Sequence, residues 1–410
     1  MDEQSLPVRT QLLEAADLGS HLADTVNLED VLAEGSRRRS ARRRRQPGPW
    51  THRVMVVAVV AVILAAIFVP LPHVSLFRRL ITPAKQPTAT SVPTTVPKTP
   101  PIGTRLAKLK LPDNVGDSMA ISGNTIVIGG AGRAIVFAKT ATGWTQTAEL
   151  KVANRSVSTI VAISGDTIVV GGNQGFNAAY VFSKTAAGWK RVAELKAPGG
   201  VASVATSGTI VVVGEGYGGT PYVFSKTAAG WKQVAELKDF GPSIALSGTT
   251  AVVSGPSCTC RAAVFTKAAT GWRQVADLRL AAGDFVDSLA SSATTAVIST
   301  FTKRPESLGH TYVFTKTATG WRQVAQLKGS SAGGDVAISG TTWVEGAPGA
   351  ANGTGRAYVF IKTATGWKQV AELKGSDTPA YSYSFGQSVA MSGRTAIVSG
   401  IGRVAYVFQA

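Results

Sequence analysis

Charge and sulfur are both scarce in this chain of 410 residues. Only 16% of the residues are charged, too few to coat many long surface helices. The 44 glycines suit short strands joined by tight turns. Two cysteines, Cys258 and Cys260, rule out a disulfide framework. The four histidines are His21, His52, His73 and His310. No metal-ligand spacing, nucleophile–base cluster or phosphate-binding glycine loop accompanies them. The expectation is a protein that is not an enzyme and holds neither a cofactor nor a metal. What is present is 44% hydrophobic, enough for a large core, with a formal net charge of +18.

That charge is unevenly placed. Residues 1–36 are polar and mildly acidic, and eight Arg follow between Arg37 and Arg53. Such a run can bind nucleic acid, but here it directly precedes VMVVAVVAVILAAIFVPLP, residues 54–72, which carry no charge. As a helix those 19 residues would span about 28 Å, close to a bilayer core. Flanking Arg places the N-terminal side in the cytoplasm. No A-x-A-like cleavage site follows. Residues 1–53 are therefore expected to form a cytoplasmic tail and 54–72 an uncleaved signal anchor, with no nucleic-acid partner. Residues 73–102 form a stalk. Six Pro and six Thr fall within 82–102, and proline excludes a helix or central strand there.

From residue 103 to 410 four phrases recur in fixed order. The first is V/I-A-x-S-G, as in VGDSMAISG (115–123) and AGGDVAISG (332–340). The second is T-I-V-V-G-G, as at 167–172. The third is Y-V-F, as at 180–182, and the fourth is G-W-x-Q-V-A-E-L-K, as at 230–238. The first three occur seven times each and the fourth six times, on Trp144, Trp189, Trp231, Trp272, Trp321 and Trp367. The missing seventh copy is RLAKLKL at 105–111, at the opposite end of the region. A linear stack has no use for that displacement. A ring does, because the first strand then completes the last blade and covers its open edge. Seven units in 308 residues give a period of 44, the propeller range. The fold expected is all-β: a seven-bladed β-propeller of four-stranded blades over 103–410, closed by its N-terminal strand and preceded by a single transmembrane helix. In the fourth phrase, alternation puts Trp, Gln, Ala and Leu on one face and Lys, Val, Glu and Lys on the other, so the Trp is read as packing between blades.

The ordered pattern FG-x-S-V-A-x-S-G…Y-V-F…G-W-x-Q-x-A-x-L resembles the FG-GAP repeat family, the blade type of the integrin alpha-subunit propeller and of many bacterial surface proteins. Phe240-Gly241 and Phe385-Gly386 carry the FG, and Gly346-Ala347-Pro348 the GAP. A kelch propeller is the alternative. The resemblance implies a bacterial, membrane-anchored protein whose propeller lies outside the cytoplasm. Calcium loops of the D-x-D-x-D-G type occur in that family. Here the corresponding place is a tight S-G-x-T turn in most blades, so no calcium site is carried over.

Two sets of connections differ in kind. The S-G-x-T turns and the K-T-A-T-G-W hairpins are nearly constant and share one face of a propeller. The connections on the other face vary, and variable loops on a rigid frame are where recognition usually resides. Phe176, Tyr217, Tyr381 and Tyr383 are the candidate anchors for a protein or glycan partner. His310, in STFTKRPESLGHT, joins them as a surface residue rather than a base. Cys258 and Cys260 are either a small-loop disulfide, favoured outside the cell, or two free thiols. On the constant face Lys139, Lys184, Lys226, Lys267, Lys316 and Lys362 recur once per blade. They form a basic rim that either attracts anionic lipid or wall polymer or simply keeps strand edges solvated. The leading expectation is an extracytoplasmic adhesion or binding module in the plasma membrane. Transmembrane signalling, with the propeller as sensor, is the alternative, and a propeller hydrolase is a weaker rival.

Overall fold

The computed structural model describes residues 99–116, 118–152, 158–172, 177–216, 219–256, 259–302, 309–328, 334–375, 385–400 and 403–410. The tail, the span expected at 54–72 and nearly all of the stalk lie outside these residues. Among the described residues no helix is long and apolar enough to cross a membrane.

Seven antiparallel sheets of four strands each follow one another. Six are built in sequence order, within 118–151, 159–196, 201–236, 244–279, 284–328 and 336–373. The seventh takes three strands from 389–409 and its outer strand from Arg105–Lys110. That strand pairs antiparallel with Val404–Gln409, Lys110 opposite Val404 and Ala107 opposite Val407. The first strands of neighbouring blades contact one another in cyclic order, the seventh returning to the first, so they surround the axis of a closed ring.

The core is divided among the gaps between blades. Seven clusters of buried apolar residues each draw on two adjacent blades. Between blades one and two, Val127, Val136 and Leu150 meet Val161, Ile168 and Phe182, with Trp189 packed against them. The other five Trp of the fourth phrase occupy the same place at their own gaps. Blade seven has no such Trp because its outer strand reads RLAKLK. The gap between blades six and seven is filled by Phe385, Tyr406 and Phe408, with Phe385–Tyr406 ring centroids 5.7 Å apart. Among the described residues the earliest in any cluster is Ile102.

Three repeated polar details account for the invariant letters. The Ser of the S-G turn accepts the N–H of the next blade's turn glycine. The bonds are Gly165 to Ser122 (3.0 Å), Gly208 to Ser164 (3.0 Å), Gly248 to Ser207 (2.9 Å), Gly393 to Ser339 (2.9 Å) and, across the closure, Gly123 to Ser392 (3.0 Å). These glycines have φ between 53° and 56°, a left-handed conformation that favours glycine. Both gaps lacking this bond among the described residues flank blade five, where Ser292-Ala293 replaces Ser-Gly. In the hairpin K-T-x-x-G-W the Thr hydroxyl donates to the glycine carbonyl, as Thr185 does to Gly188 at 2.7 Å. At the far end of the second strand, Gly346 lies so close to the next blade that an added Cβ would sit 1.9 Å from the Gly386 carbonyl oxygen. The GAP glycine of one blade thus abuts the FG glycine of the next.

The outer strands depart from simple alternation. Each carries a bulge at one position: Val136 pairs with Ala148 and Phe137 with Gln146, leaving Thr147 unpaired. The same slip occurs in blades two to six and, at Leu106, in blade seven. Trp, Ala and Leu face inward as expected, but Gln146 and Gln233 are exposed. The bulge residues Leu106, Val192, Val234, Val275, Val324 and Val370 account for six of the seven exposed large hydrophobics among the described residues. A bulge disrupts the ladder on an edge strand and discourages pairing with another chain.

Candidate functional site

Blade five breaks the pattern. Its first and second strands, Asp284–Ser291 and Thr295–Thr302, have eight residues each. The first strands elsewhere have four to seven and the second strands five or six. The added pairs are Asp284 with Thr302, Phe285 with Phe301 and Val286 with Thr300. They extend the blade at the end away from the S-G turns, on the face with non-repeating connections.

On one side of this extension lies a polar cluster around Asp284, which is 2% exposed. Its Oδ2 accepts from Tyr312 Oη at 2.6 Å and lies 2.8 Å from His310 Nδ1. Tyr312 Oη also accepts the Ala281 N–H at 3.1 Å. Burial, then the hydrogen bond to Asp284, pushes the Tyr312 phenol up to about 12. Thr300 Oγ1 accepts the His310 N–H at 2.8 Å and donates to the His310 carbonyl at 2.9 Å, which fixes the backbone where the chain re-enters the sheet. A carboxylate only accepts, so the proton of this hydrogen bond sits on Nδ1. The His310 side chain is 33% exposed. Beside the cluster, Cys260 is a free cysteine whose Sγ accepts the Gly283 N–H at 3.2 Å.

Toward blade six the site turns acidic in a chain that is otherwise basic. Asp335 stands where blades one, three, four, five and seven have Ser118, Ser203, Ser243, Ser288 and Ser388. Its carboxylate accepts from Ser288 Oγ (2.7 Å), Ser388 Oγ (3.2 Å) and the Val389 N–H (2.9 Å), tying three successive blades together. Burial raises its pKa, and the hydrogen bonds offset part of that rise. Asp287 is the unpaired residue of a bulge between Val286 and Ser288. It has much of its own surface exposed, yet the surrounding chain is crowded enough that desolvation, then the charge of Asp335, raises its pKa. The exposure governs what it can touch, and the crowding governs only the direction of the shift. Glu345, 5% exposed, accepts from Thr311 Oγ1 at 2.8 Å. Burial pushes it up to about 7.

An aromatic pair completes the site. The Phe285 and Phe301 rings are 5.6 Å apart, and Phe301 is 37% exposed. Elsewhere, the second-to-third connection of blade six holds Ala351 and Asn352 at φ 52° and 58°, a left-handed conformation that is uncommon for alanine. The extended sheet end thus holds an oriented imidazole with Tyr312 on its blade-four side and, by alternation along the second strand, the Phe301 ring on its blade-six side.

Of the residues singled out from the sequence, His310 lies at this site, held by a buried carboxylate. Phe176, Tyr217, Tyr381, Tyr383 and Cys258 lie outside the described residues. The six rim lysines are all exposed at the hairpin ends of their third strands. Among the described residues no group of three or more His, Cys, Asp or Glu is placed to hold a metal. Sequence reading missed Asp284, Asp287, Asp335 and Tyr312. A column-by-column comparison of the seven units would have found Asp335, an acid among serines; Asp287 shares its column with Asp117, and Asp284 falls in the blade-five insertion, where there is no column.

Residues 367–408, from the outer strand of blade six through the third strand of blade seven, match the FG-GAP repeat family. The seven-bladed ring fits an FG-GAP-like propeller. No curated protein matches the chain. Among solved structures it is similar to a chain in the crystal structure of the mitotic checkpoint complex, with a TM-score of 0.56 and 13% identity, covering 83% of this chain and 99% of that one. It is also similar to the Cps50 (Swd1) β-propeller domain of Myceliophteria thermophila, with a TM-score of 0.56 and 10% identity, covering 74% of this chain and 100% of that one. At such identities the likeness shows the fold alone.

Proposed function

We propose that this protein is a membrane-anchored binding module whose propeller lies outside the cytoplasm and holds a protein or glycan partner on its non-repeating face, centred on blade five. A propeller carrying an FG-GAP repeat suits an interaction module. The observation that carries the site is the asymmetry of the two faces. One repeats its hydrogen bonds blade after blade. The other carries Phe301, Asp287 and His310 on the extended end of the blade-five sheet.

The test uses the full chain and a triple variant, Asp287→Ala, Phe301→Ala and His310→Ala, on a glycan array and in cross-linking on intact cells. A ligand held by the parent and lost by the variant, with the melting curve retained, supports the reading. A ligand held equally by both overturns the face assignment. Protease shaving of intact cells checks the topology: release of the propeller is expected, and its protection would place it inside. Capture of a partner by residues 1–50 alone, with none by the propeller, would favour signalling.

A further inference from the structure

The face opposite the candidate site has a charge pattern of its own. Lys139, Lys184, Lys226, Lys267, Lys316 and Lys362 stand at one position of six third-to-fourth hairpins, each directly across the ladder from the Trp of the fourth phrase. Five of those hairpins add a second exposed cation just after the Trp: Lys190, Lys232, Arg273, Arg322 and Lys368. The first-to-second turns on the same face contribute Arg394 and a single side-chain carboxylate, Asp166. At the other end of the same outer strands cations are also present, but acids interleave with them and pair. Arg133 meets Glu149 at 3.3 Å, Arg356 meets Glu372 at 2.7 Å and Lys374 meets Glu372 at 3.3 Å. The ring is therefore polarised, with one face almost purely cationic and the other mixed.

We propose that this hairpin face docks on an anionic bilayer surface, all six equipped blades contacting lipid headgroups at once. Because each first lysine holds the same place relative to its hairpin, and the hairpins repeat around one axis, the charges lie near a common plane. A planar lattice of headgroups meets all of them together, whereas a linear polyanion would follow only a few successive blades. The first cation is lysine in every case, a point charge that engages phosphates and carboxylates without fixed geometry. Such attraction acts within about 8 Å at physiological ionic strength and strengthens with each added cation near the leaflet. The proposal does not depend on the blade-five reading or on a transmembrane anchor.

The test uses residues 99–410, which contain all seven four-stranded sheets, so that the Arg-rich tail and apolar segment do not contribute. Vesicles of phosphatidylcholine with about 30% phosphatidylserine are compared with phosphatidylcholine alone in co-sedimentation at 0.1 M and 0.5 M salt. Binding is expected to be at least about tenfold stronger to the anionic vesicles and to weaken about tenfold at the higher salt. Lys184→Glu, Lys226→Glu, Lys267→Glu and Lys316→Glu together are expected to lose at least about tenfold in affinity. Four reversals at the opposite strand ends, Lys151→Glu, Lys196→Glu, Arg279→Glu and Lys374→Glu, should change it less than about twofold. The corresponding Lys→Gln set, with circular dichroism of every variant, separates lost charge from lost fold. No anionic preference, equal effects of the two reversal sets, or retention by heparin without vesicle binding would each overturn the proposal.

Discussion

Glu345 occupies a column of the second strand in which the other blades carry Ile128, Val170, Val213, Val253, Ile298 and Val398, all fully buried. In the unfolded chain its carboxyl ionises near 4.3, while in the ring it keeps its proton up to about 7. Between these values the folded form binds the extra proton, so stability falls as pH rises through the window and is level above it. Glu345→Gln keeps an acceptor for Thr311 and removes the titration. It is expected to match the parent at pH 5 and to exceed it by about 2 kcal/mol at pH 8, after the cost of the amide's own N–H groups. Urea unfolding at both pH values measures this, and parallel pH profiles for the two proteins would refute it. Asp287 and Asp335 are common to both and drop out of the difference. The exposed rim behaves differently. Residues 180–196 and 222–238 are identical except at Arg191 and Gln233, and this change trades an Arg191–Glu194 ion pair at 2.6 Å, with Arg191 3.8 Å from the Tyr180 ring, for a Gln233–Glu236 hydrogen bond at 3.0 Å. Both side chains reach the same i+3 carboxylate, so the position tolerates the exchange.

At the scale of the element, the joint between blades rests on glycines that leave no room for a side chain. Gly346→Ala puts a methyl group against the Gly386 carbonyl, and neither backbone can retreat without moving a strand. The expected cost is about 3 kcal/mol, or several degrees in Tm, read by calorimetry. Gly143→Ala, where an added Cβ meets nothing within 4 Å but φ is 122°, separates backbone strain from collision. If the two cost the same, collision is not the cause at Gly346. The strands themselves were legible in sequence because each phrase recurs with its turn residues, and the Trp wedge followed from its repetition. The outer-strand bulge was not, because a bulge leaves composition and spacing unchanged and appears only when the ladder is paired. The Asp284–His310–Tyr312 cluster was hidden for a related reason. Asp284 and His310 are 26 positions apart and meet only because blade five's first and second strands extend beyond the shared repeat.

For the whole molecule, the displaced phrase RLAKLKL was the most informative part of the sequence, since it distinguishes a ring from a stack. In the structure its strand covers Val404–Gln409 and sends Leu109, 4% exposed, into the cluster shared by blades seven and one. A gap here differs from a gap elsewhere, because every other blade is closed by neighbours in sequence while this one is closed across some 300 residues. Closing so long a loop is entropically costly but grows only slowly with length, and the strand's backbone bonds and buried leucine offset it. Ring residues 99–410 and the shortened 112–410 therefore form a direct test. The shortened ring is expected to melt at a lower temperature, to bind an apolar dye and to self-associate through the uncovered strand. Ala107→Pro in the longer piece removes one N–H from that strand and should move the melt in the same direction by less. A shortened ring that melts like the longer one and stays monomeric would mean that the closing strand adds no stability to the ring.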